Sequence, residues 1–317
     1  MLKTLKDTGE FGMIRRIQEL IAKEGVSSNN ITTGIGDDCA SFRPDEGFEI
    51  LITSDCMVEG RHYIPGCISP FDLGRRAMVM NISDIGAMGG IPRYAVVSLG
   101  LKKDTPVNYI EDMYRGFMHE LNPLGASIIG GNITGSDYST FINITLTGEV
   151  ESSSIMRRSG ARTGDLILVT GYPGQAAAGL RRLLDNRSGM DLSKDPLVKA
   201  YNLPSHRARE GRAVALSGLA TAMIDISDGL IGDLGHICEE SGKGAELIRN
   251  KLPISNEIRG LFDRQGWDIY EMIMGDSDDY ELIITCPPDN KDKVIVSVRE
   301  ISNVPVTEVG IITEHAG

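Results

Sequence analysis

No uninterrupted apolar run in the sequence approaches the roughly eighteen residues that a membrane-spanning helix needs, so no membrane span is expected. The opening stretch "MLKTLKDTGEFGMIRRIQEL" carries acids early and has no apolar h-region, so a secretory leader is not expected there. Cysteine is sparse: there are five, with no Cys-x-x-Cys pair. An odd number without metal spacing points to reduced thiols in a cytoplasmic protein and weighs against zinc or disulfide chemistry. There is no dense Lys/Arg run and the formal net charge is −12, whereas nucleic-acid binding needs a basic face, so no nucleic-acid partner is expected. The common nucleotide signatures are missing as well. "SGKGAE" at 241–246 lacks the upstream glycine and the hydroxyl residue of a P-loop, and "GIGDDC" breaks G-x-G-x-x-G at Cys39.

What is present is a soluble-type chain of 317 residues, 41% apolar and 24% charged, long enough for two domains or one large one. "FGMIRRIQELIAKEG" and "VNYIEDMYRGFMHEL" have helical spacing, and "SPFDLGRRAMVMNISDIGAMGG" reads as a helix capped by Ser69 and stopped by glycine. "EILITSD", "RYAVVSLGL", "ASIIGGN" and "FINITLTGEV" read as strands. Polar, irregular "ESSSIMRRSGARTGD" places a boundary near 150–165, giving expected domains of 1–152 and 153–317. The second half runs strand "DLILVTG", helix "GQAAAGLRRLLD", further helices, then strands "YELIITC" and "VTEVGIIT". Helices and strands alternate without a regular βαβ repeat, so the class is α/β or α+β.

Acids beside small residues recur: "GDDCA" (Asp37, Asp38), "TSDC" (Asp55), "NISDIG" (Asp84), "DISDGL" (Asp225, Asp228) and "GDSDDYEL" (Asp276, Asp278, Asp279). "EILITSD" puts Asp55 at the C-terminal edge of a strand, where α/β folds often bind ligands. "NISDIG" and "DISDGL" echo each other, one in each half, either by chance or because two related halves each present an acid on a loop. Any one Ser-Asp is explained equally by helix capping. Together, several carboxylates held within a few ångströms stay ionised only beside a cation. Mg²⁺ or Ca²⁺ suits oxygen ligands, with Thr53 or Ser54 as neutral donors, and Mg²⁺ is commonly shared between carboxylates and substrate phosphates. Arg157 and Arg158 suit phosphate oxygens, though paired arginines near a linker are often only solvated. His62 is either a ligand-facing group or an ordinary surface histidine. "VTGYPGQAAAG" is either an anion-binding helix start or a plain turn.

"GEFGMI", "GIGDDCA", "TSDCMVEGRHY", "NISDIGAMGG", "IIGGN", "RRSGA", "DISDGLIGDLGHI" and "DDYEL", in that order from residue 9 to 282, resemble the thiamine-monophosphate kinases of the aminoimidazole-ribonucleotide-synthetase superfamily. The resemblance implies a two-domain α/β (α+β) fold of that superfamily and a homodimer formed through the sheet of the N-terminal half. It also implies ATP-dependent phosphorylation of thiamine monophosphate to thiamine diphosphate, with several Mg²⁺ ions. Carried over by position, it makes Asp38, Thr53, Ser54, Asp55, Asp84, Asn132, Asp225 and Asp228 metal ligands. Tyr114, Gly130, Gly131, Arg158 and Ser227 would touch ATP; His62 and Asp278 would face the substrate; Asp55, Asp84 and Arg158 would carry catalysis. Asn132 stands where many members have Asp, and Asp278 where Glu is usual. No Phe, Tyr or Trp follows Tyr280, where the family generally has an aromatic residue over the substrate, so that end of the pocket is expected to differ. Rival readings are another ATP-dependent enzyme of the superfamily with a different acceptor, or a non-catalytic nucleotide- or metal-binding protein.

Overall fold

The computed structural model describes residues 4–8, 10–26, 31–33, 41–42, 46–186, 189–266 and 268–315. The chain divides into two compact units, Met1–Ile85 with Ile91–Glu151, and Gly86–Gly90 with Ser152–Gly317. No described helix is long and apolar enough to cross a membrane.

The first unit contains, in chain order, α1 (Leu5–Thr8), α2 (Glu10–Glu24), β1 (Ile31–Thr33), β2 (Ser41–Phe42), β3 (Phe48–Val58), α3 (Pro70–Ala87), β4 (Ile91–Leu101), α4 (Val107–Leu121), β5 (Ser127–Gly135) and β6 (Phe141–Glu151). Its main sheet has the order β3-β6-β4-β5; β3–β6 and β6–β4 are antiparallel and β4–β5 parallel. In β3 the side chains alternate: Leu51 and Met57 are buried on the face that Thr53 and Asp55 share, while Ile50, Ile52, Ser54 and Cys56 are exposed on the other. Ser69 caps α3 as its position predicts, its Oγ accepting the Asp72 amide at 3.1 Å. The helix then runs straight through "NISD", burying Leu73, Ala77, Ile82 and Ile85, because these positions recur at helical spacing.

The second unit contains β7 (Leu166–Thr170), α5 (Gln175–Leu184), α6 (Pro196–Asn202), α7 (Ala208–Ser217), β8 (Ala222–Asp225), α8 (Leu230–Ser241), β9 (Gly244–Leu247), α9 (Asn256–Gln265), α10 (Ile269–Met274), β10 (Leu282–Cys286), α11 (Lys291–Arg299) and β11 (Val306–Thr313). Its sheet, β8-β10-β7-β11-β9, is antiparallel at every described pairing. Ile167, Val169, Ile224 and Ile283 pack against Leu230, Leu234 and Ile237 of α8. On the opposite face Leu168, Met223, Leu282 and Ile284 meet Val214 of α7 and Val294 and Val298 of α11. Burial on both faces is why "LILVT" and "LIITC" read as unbroken apolar runs rather than alternating ones.

One sequence expectation is corrected here, and one open alternative loses its support. Asp55 does not end its strand, since β3 continues to Val58 through unbroken pairing with β6. The echoed Ile-Ser-Asp segments also differ in structure: "NISD" is helix interior, whereas "DISDG" is the end of β8, a loop and the entry to α8. Only the second copy presents its acid on a loop.

Candidate active site

The first unit brings Thr53, Asp55 and Asp84 together. Thr53 and Asp55, two residues apart on β3, point to the same face, and Asp84 reaches them from α3. Thr53 Oγ1 donates to Asp84 Oδ2. The Asp55 and Asp84 carboxyls are hydrogen-bonded to each other. All three residues are half-buried. Burial, then repulsion from Asp84, then the hydrogen bond between them raise the Asp55 pKa to about 6. An acid pair that strains to lose its last proton, with a hydroxyl beside it, is a hard-oxygen donor set that fits a divalent cation.

Asn81 was not legible as part of this site. Fully buried on α3, its Oδ1 accepts the Asp55 amide at 3.3 Å and its Nδ2 donates to the Ala77 carbonyl at 3.3 Å. Its place three residues before Asp84, on the same helix face, was the available signal. Ser54 turns to the opposite face, where its Oγ lies 3.1 Å from Thr145 Oγ1. Asn143 donates to Ser54 Oγ at 3.3 Å and to the Asp55 carbonyl at 3.2 Å. The structure therefore does not bring the Ser54 hydroxyl to the carboxyl pair. His62 folds back on its own strand, Nδ1 accepting the Val58 amide at 2.9 Å. Asp37 and Asp38 lie outside the described residues.

At the other edge of the same sheet, Ile17, Tyr114, Ile128, Gly130, Gly131, Asn132 and Ile133 line a small cavity. Burial holds the Tyr114 hydroxyl well above the usual phenol range, and its ring meets Phe117 edge-on at 5.2 Å. Gly131 has to be glycine because a Cβ there would lie 2.1 Å from the Val97 carbonyl oxygen across the sheet. Asp55, Ile144, Val97 and Gly131 form one cross-strand row. Three strand spacings, about 14 Å, therefore separate the acid pair from the glycine pair and from Asn132.

In the second unit a cleft of about 190 Å³ gathers Ser227, Asp228 and Asp278, with Asp276, Ser277, Tyr201, Leu180, Ala176 and Ala177 completing it. Asp225 sits two residues before Ser227 at the buried end of β8. Tyr201 joins the cleft without a sequence signal, because α6 reaches it only through tertiary packing, whereas Asp276 belongs to the acidic stretch "GDSDDYEL". Arg158 is exposed and lies elsewhere. Its carbonyl accepts from Ser241 Oγ at 3.3 Å at the C-terminal end of α8, about 18 Å of helix from the Ser227 loop.

The helix start at "VTGYPGQAAAG" is closed by the chain itself. Asp279 accepts the Gly174 amide at 2.5 Å and the Ala176 amide at 2.9 Å, and Ser277 Oγ accepts the Ala177 amide at 3.1 Å. This turn is thus a capped helix end rather than an open anion site. Burial lifts the Asp279 carboxyl to about 6 in spite of these bonds. Its neighbour Tyr280 holds a left-handed φ of 53°, and Glu281 forms a two-pronged ion pair with Arg207 while accepting from Thr170 Oγ1 at 2.6 Å.

Residues 36–150 match the family model for the N-terminal domain of AIR synthase related proteins, and residues 162–317 match that for the C-terminal domain. The thiamine-monophosphate kinase of Haemophilus influenzae is 37% identical over 311 residues, covering 98% of this chain and 90% of that protein. The chain belongs to the thiamine-monophosphate kinase family of AIR synthase related proteins. The family member from Bacillus subtilis is 32% identical over 96% of this chain and 91% of its own length. The crystal structure of the thiamine-monophosphate kinase from Stenotrophomonas maltophilia K279a superposes with a TM-score of 0.85 at 30% identity, covering 98% of this chain and 95% of its own. The structure of AaThiL complexed with AMPPCP and TMP gives a TM-score of 0.76 at 30% identity, covering 99% and 94% of the two chains.

Proposed function

We propose that this chain is an ATP-dependent thiamine-monophosphate kinase, transferring the γ-phosphoryl group of ATP directly to the phosphate of thiamine monophosphate. The observation that carries the reading is the convergence of Asp55, Asp84 and Thr53 in a chain that is 37% identical to the thiamine-monophosphate kinase of Haemophilus influenzae. The neighbour holding AMPPCP and TMP supports the same pair of substrates. A phosphate oxygen is already anionic at neutral pH, so the acceptor needs no general base. The protein's task is to hold two polyanions in line and stabilise the transferring group.

Thr53, Asp55 and Asp84 fit Mg²⁺ by their donor chemistry, and Asp38, Asn132, Asp225 and Asp228 are our further candidates as ligands. Bound there, Mg²⁺ would neutralise phosphate charge and stabilise the charge that develops on transfer. Tyr114, Gly130, Gly131 and Ser227 would orient the nucleotide, with Arg158 meeting phosphate. Asp278 and His62 would meet the acceptor. We assign metal and nucleotide binding to residues 1–152 and the remaining α/β half to 153–317, and read the protein as cytoplasmic. Ile50, Ile52 and Val96 expose apolar surface on one face of the first unit's sheet, 46%, 72% and 38% accessible, which supports a homodimer through that face.

The test is ADP release with and without thiamine monophosphate and Mg²⁺. Turnover that requires both is expected. Stimulation only by a different monophosphate would reassign the acceptor, and tight ATP binding without any turnover would make the protein a non-catalytic binder.

A further inference from the structure

The loop Ile226–Gly229 joins β8 to α8 and carries Ser227 and Asp228 into the second-unit cleft. Its two ends are fixed by the backbone. The Ile226 amide donates to the Glu281 carbonyl at 2.7 Å, and the Tyr280 amide donates to the Ile226 carbonyl at 2.8 Å. Gly229 takes φ 97°, and a Cβ there would come within 2.0 Å of the Gly275 carbonyl oxygen. The two middle amides point elsewhere. Those of Ser227 and Asp228 both donate to one atom, Asp233 Oδ2, at 2.9 Å each. Asp233 lies in the first turn of α8 and is 2% exposed.

We propose that Asp233 is a positioning residue for phosphoryl transfer, its carboxylate orienting Ser227 toward ATP and Asp228 toward the cation. The proposal rests on the function given above. The chemistry follows from the geometry. Holding the amides of Ser227 and Asp228 fixes the peptide planes on both sides of Ser227 and so its φ, ψ and Cα–Cβ direction, while Asp228 is held between the second plane and the pinned Gly229. The oxygen that takes both amides thus sets where the Ser227 hydroxyl and the Asp228 carboxylate point. Helix α8 packs Leu230, Leu234 and Ile237 into the core and so gives that oxygen a rigid mount. Such supporting hydrogen bonds typically contribute 10–100-fold to metal affinity or activity. A competing role exists on the page: Asp228, Asp233 and His236 offer ligand atoms within 4.8 Å of one another, so Asp233 itself could ligate a cation.

Asn separates the two roles. Its carbonyl oxygen accepts two hydrogen bonds, as the carboxylate oxygen does now, but carries no charge. Steady-state kinetics of Asp233→Asn and Asp233→Ala, with circular dichroism and equilibrium MgATP binding on each, form the test. Asp233→Ala is expected to stay folded and lose about 10–100-fold in kcat/KM for ATP, with KM raised. Asp233→Asn is expected to restore most of that loss. Equal loss in both variants would make the charge decisive and overturn positioning in favour of ligation. Wild-type kcat and KM in Asp233→Ala, with only a lower Tm, would reduce the residue to a structural cap and overturn the proposal as well. If the alanine variant does not fold, Asp233→Glu replaces it. That change keeps the charge but moves the accepting oxygen by one methylene, so a loss in kcat/KM supports positioning and wild-type kinetics overturn it. Wild-type turnover of thiamine monophosphate is scored separately, so a wrong acceptor would leave the MgATP-binding comparison intact.

Discussion

The Thr53 hydroxyl donates a hydrogen bond to the Asp84 carboxylate, tying the third strand of the chain to its longest described helix beside a second acid, Asp55. Strand and helix thus meet where two half-buried carboxyls lie close enough to raise the pKa of Asp55. If that pair holds the cation, Asp55→Asn lowers kcat by about a hundred- to a thousandfold, the usual effect of removing a preorganised electrostatic contact. The far-UV spectrum should stay unchanged. Near-normal turnover would remove Asp55 from the mechanism.

The same pair predicts opposite effects on stability and activity. Two neighbouring carboxyls without a cation repel each other, so Asp84→Asn relieves the metal-free protein of about 1 kcal/mol. Calorimetry in EDTA is expected to show a Tm equal to or above that of the parent, while turnover with Mg²⁺ falls. A clear drop in Tm would mean that Asp84 serves the fold first.

Asp279 makes a prediction about pH. Its carboxyl is lifted from 3.8 to about 6 by burial, so between those values the folded state holds a proton that the unfolded state has released. Stability therefore falls as pH rises through this window, by up to about 3 kcal/mol at 1.36 kcal/mol per unit, and is level above it. Thermal melts from pH 4 to 8 should show this fall. Asp279→Asn loses one acceptor at the start of α5 and is less stable throughout, but its curve should be shallower in this window, with the fall due to Asp55 remaining.

Arg207 and Glu281 form an ion pair in which the carboxylate is only 8% exposed. Removing the cation alone strands a buried charge, so Arg207→Ala is expected to cost about 3–5 kcal/mol in urea unfolding. Adding Glu281→Gln should recover most of the loss, because the amide still accepts from Thr170. If the double variant is no better than the single one, packing of the Arg207 stem is the larger contribution.

The proposed subunit contact is checked at Ile52, 72% exposed in the middle of β3. Ile52→Lys places a charge on an apolar face and is expected to shift the protein from dimer to monomer in light scattering at micromolar concentration. An unchanged mass would place the interface elsewhere.

Helix and strand positions were readable wherever apolar spacing was strong: Ser69 before α3, the paired faces of β7 and β10, and the run of α4 all follow from local pattern. The acids of the site were also visible, because Asp beside Gly or Ser stands out in an apolar context. Partnership between distant residues was not. Nothing local says that Ser54 is paired across from Thr145 while Asp55 faces α3, since strand alternation gives two faces but does not say which is covered. "DDYEL" likewise looked like one acidic site. Its residues separate into a cleft acid, Asp278, a helix cap, Asp279, and a buried ion pair, Glu281, because each successive residue faces a different neighbour.

Asp279 has a last consequence for ligands. The amides at the start of α5 are the obvious local attraction for a phosphate entering the second-unit cleft, and an internal carboxylate already occupies them. A phosphorylated molecule arriving there meets the carboxylates of Asp228, Asp276 and Asp278, and the start of α5 is not open to offset them. Under the proposed function, a nucleotide that reaches this surface has to bring its own counter-ion, so MgATP and not bare ATP is the species expected to bind there.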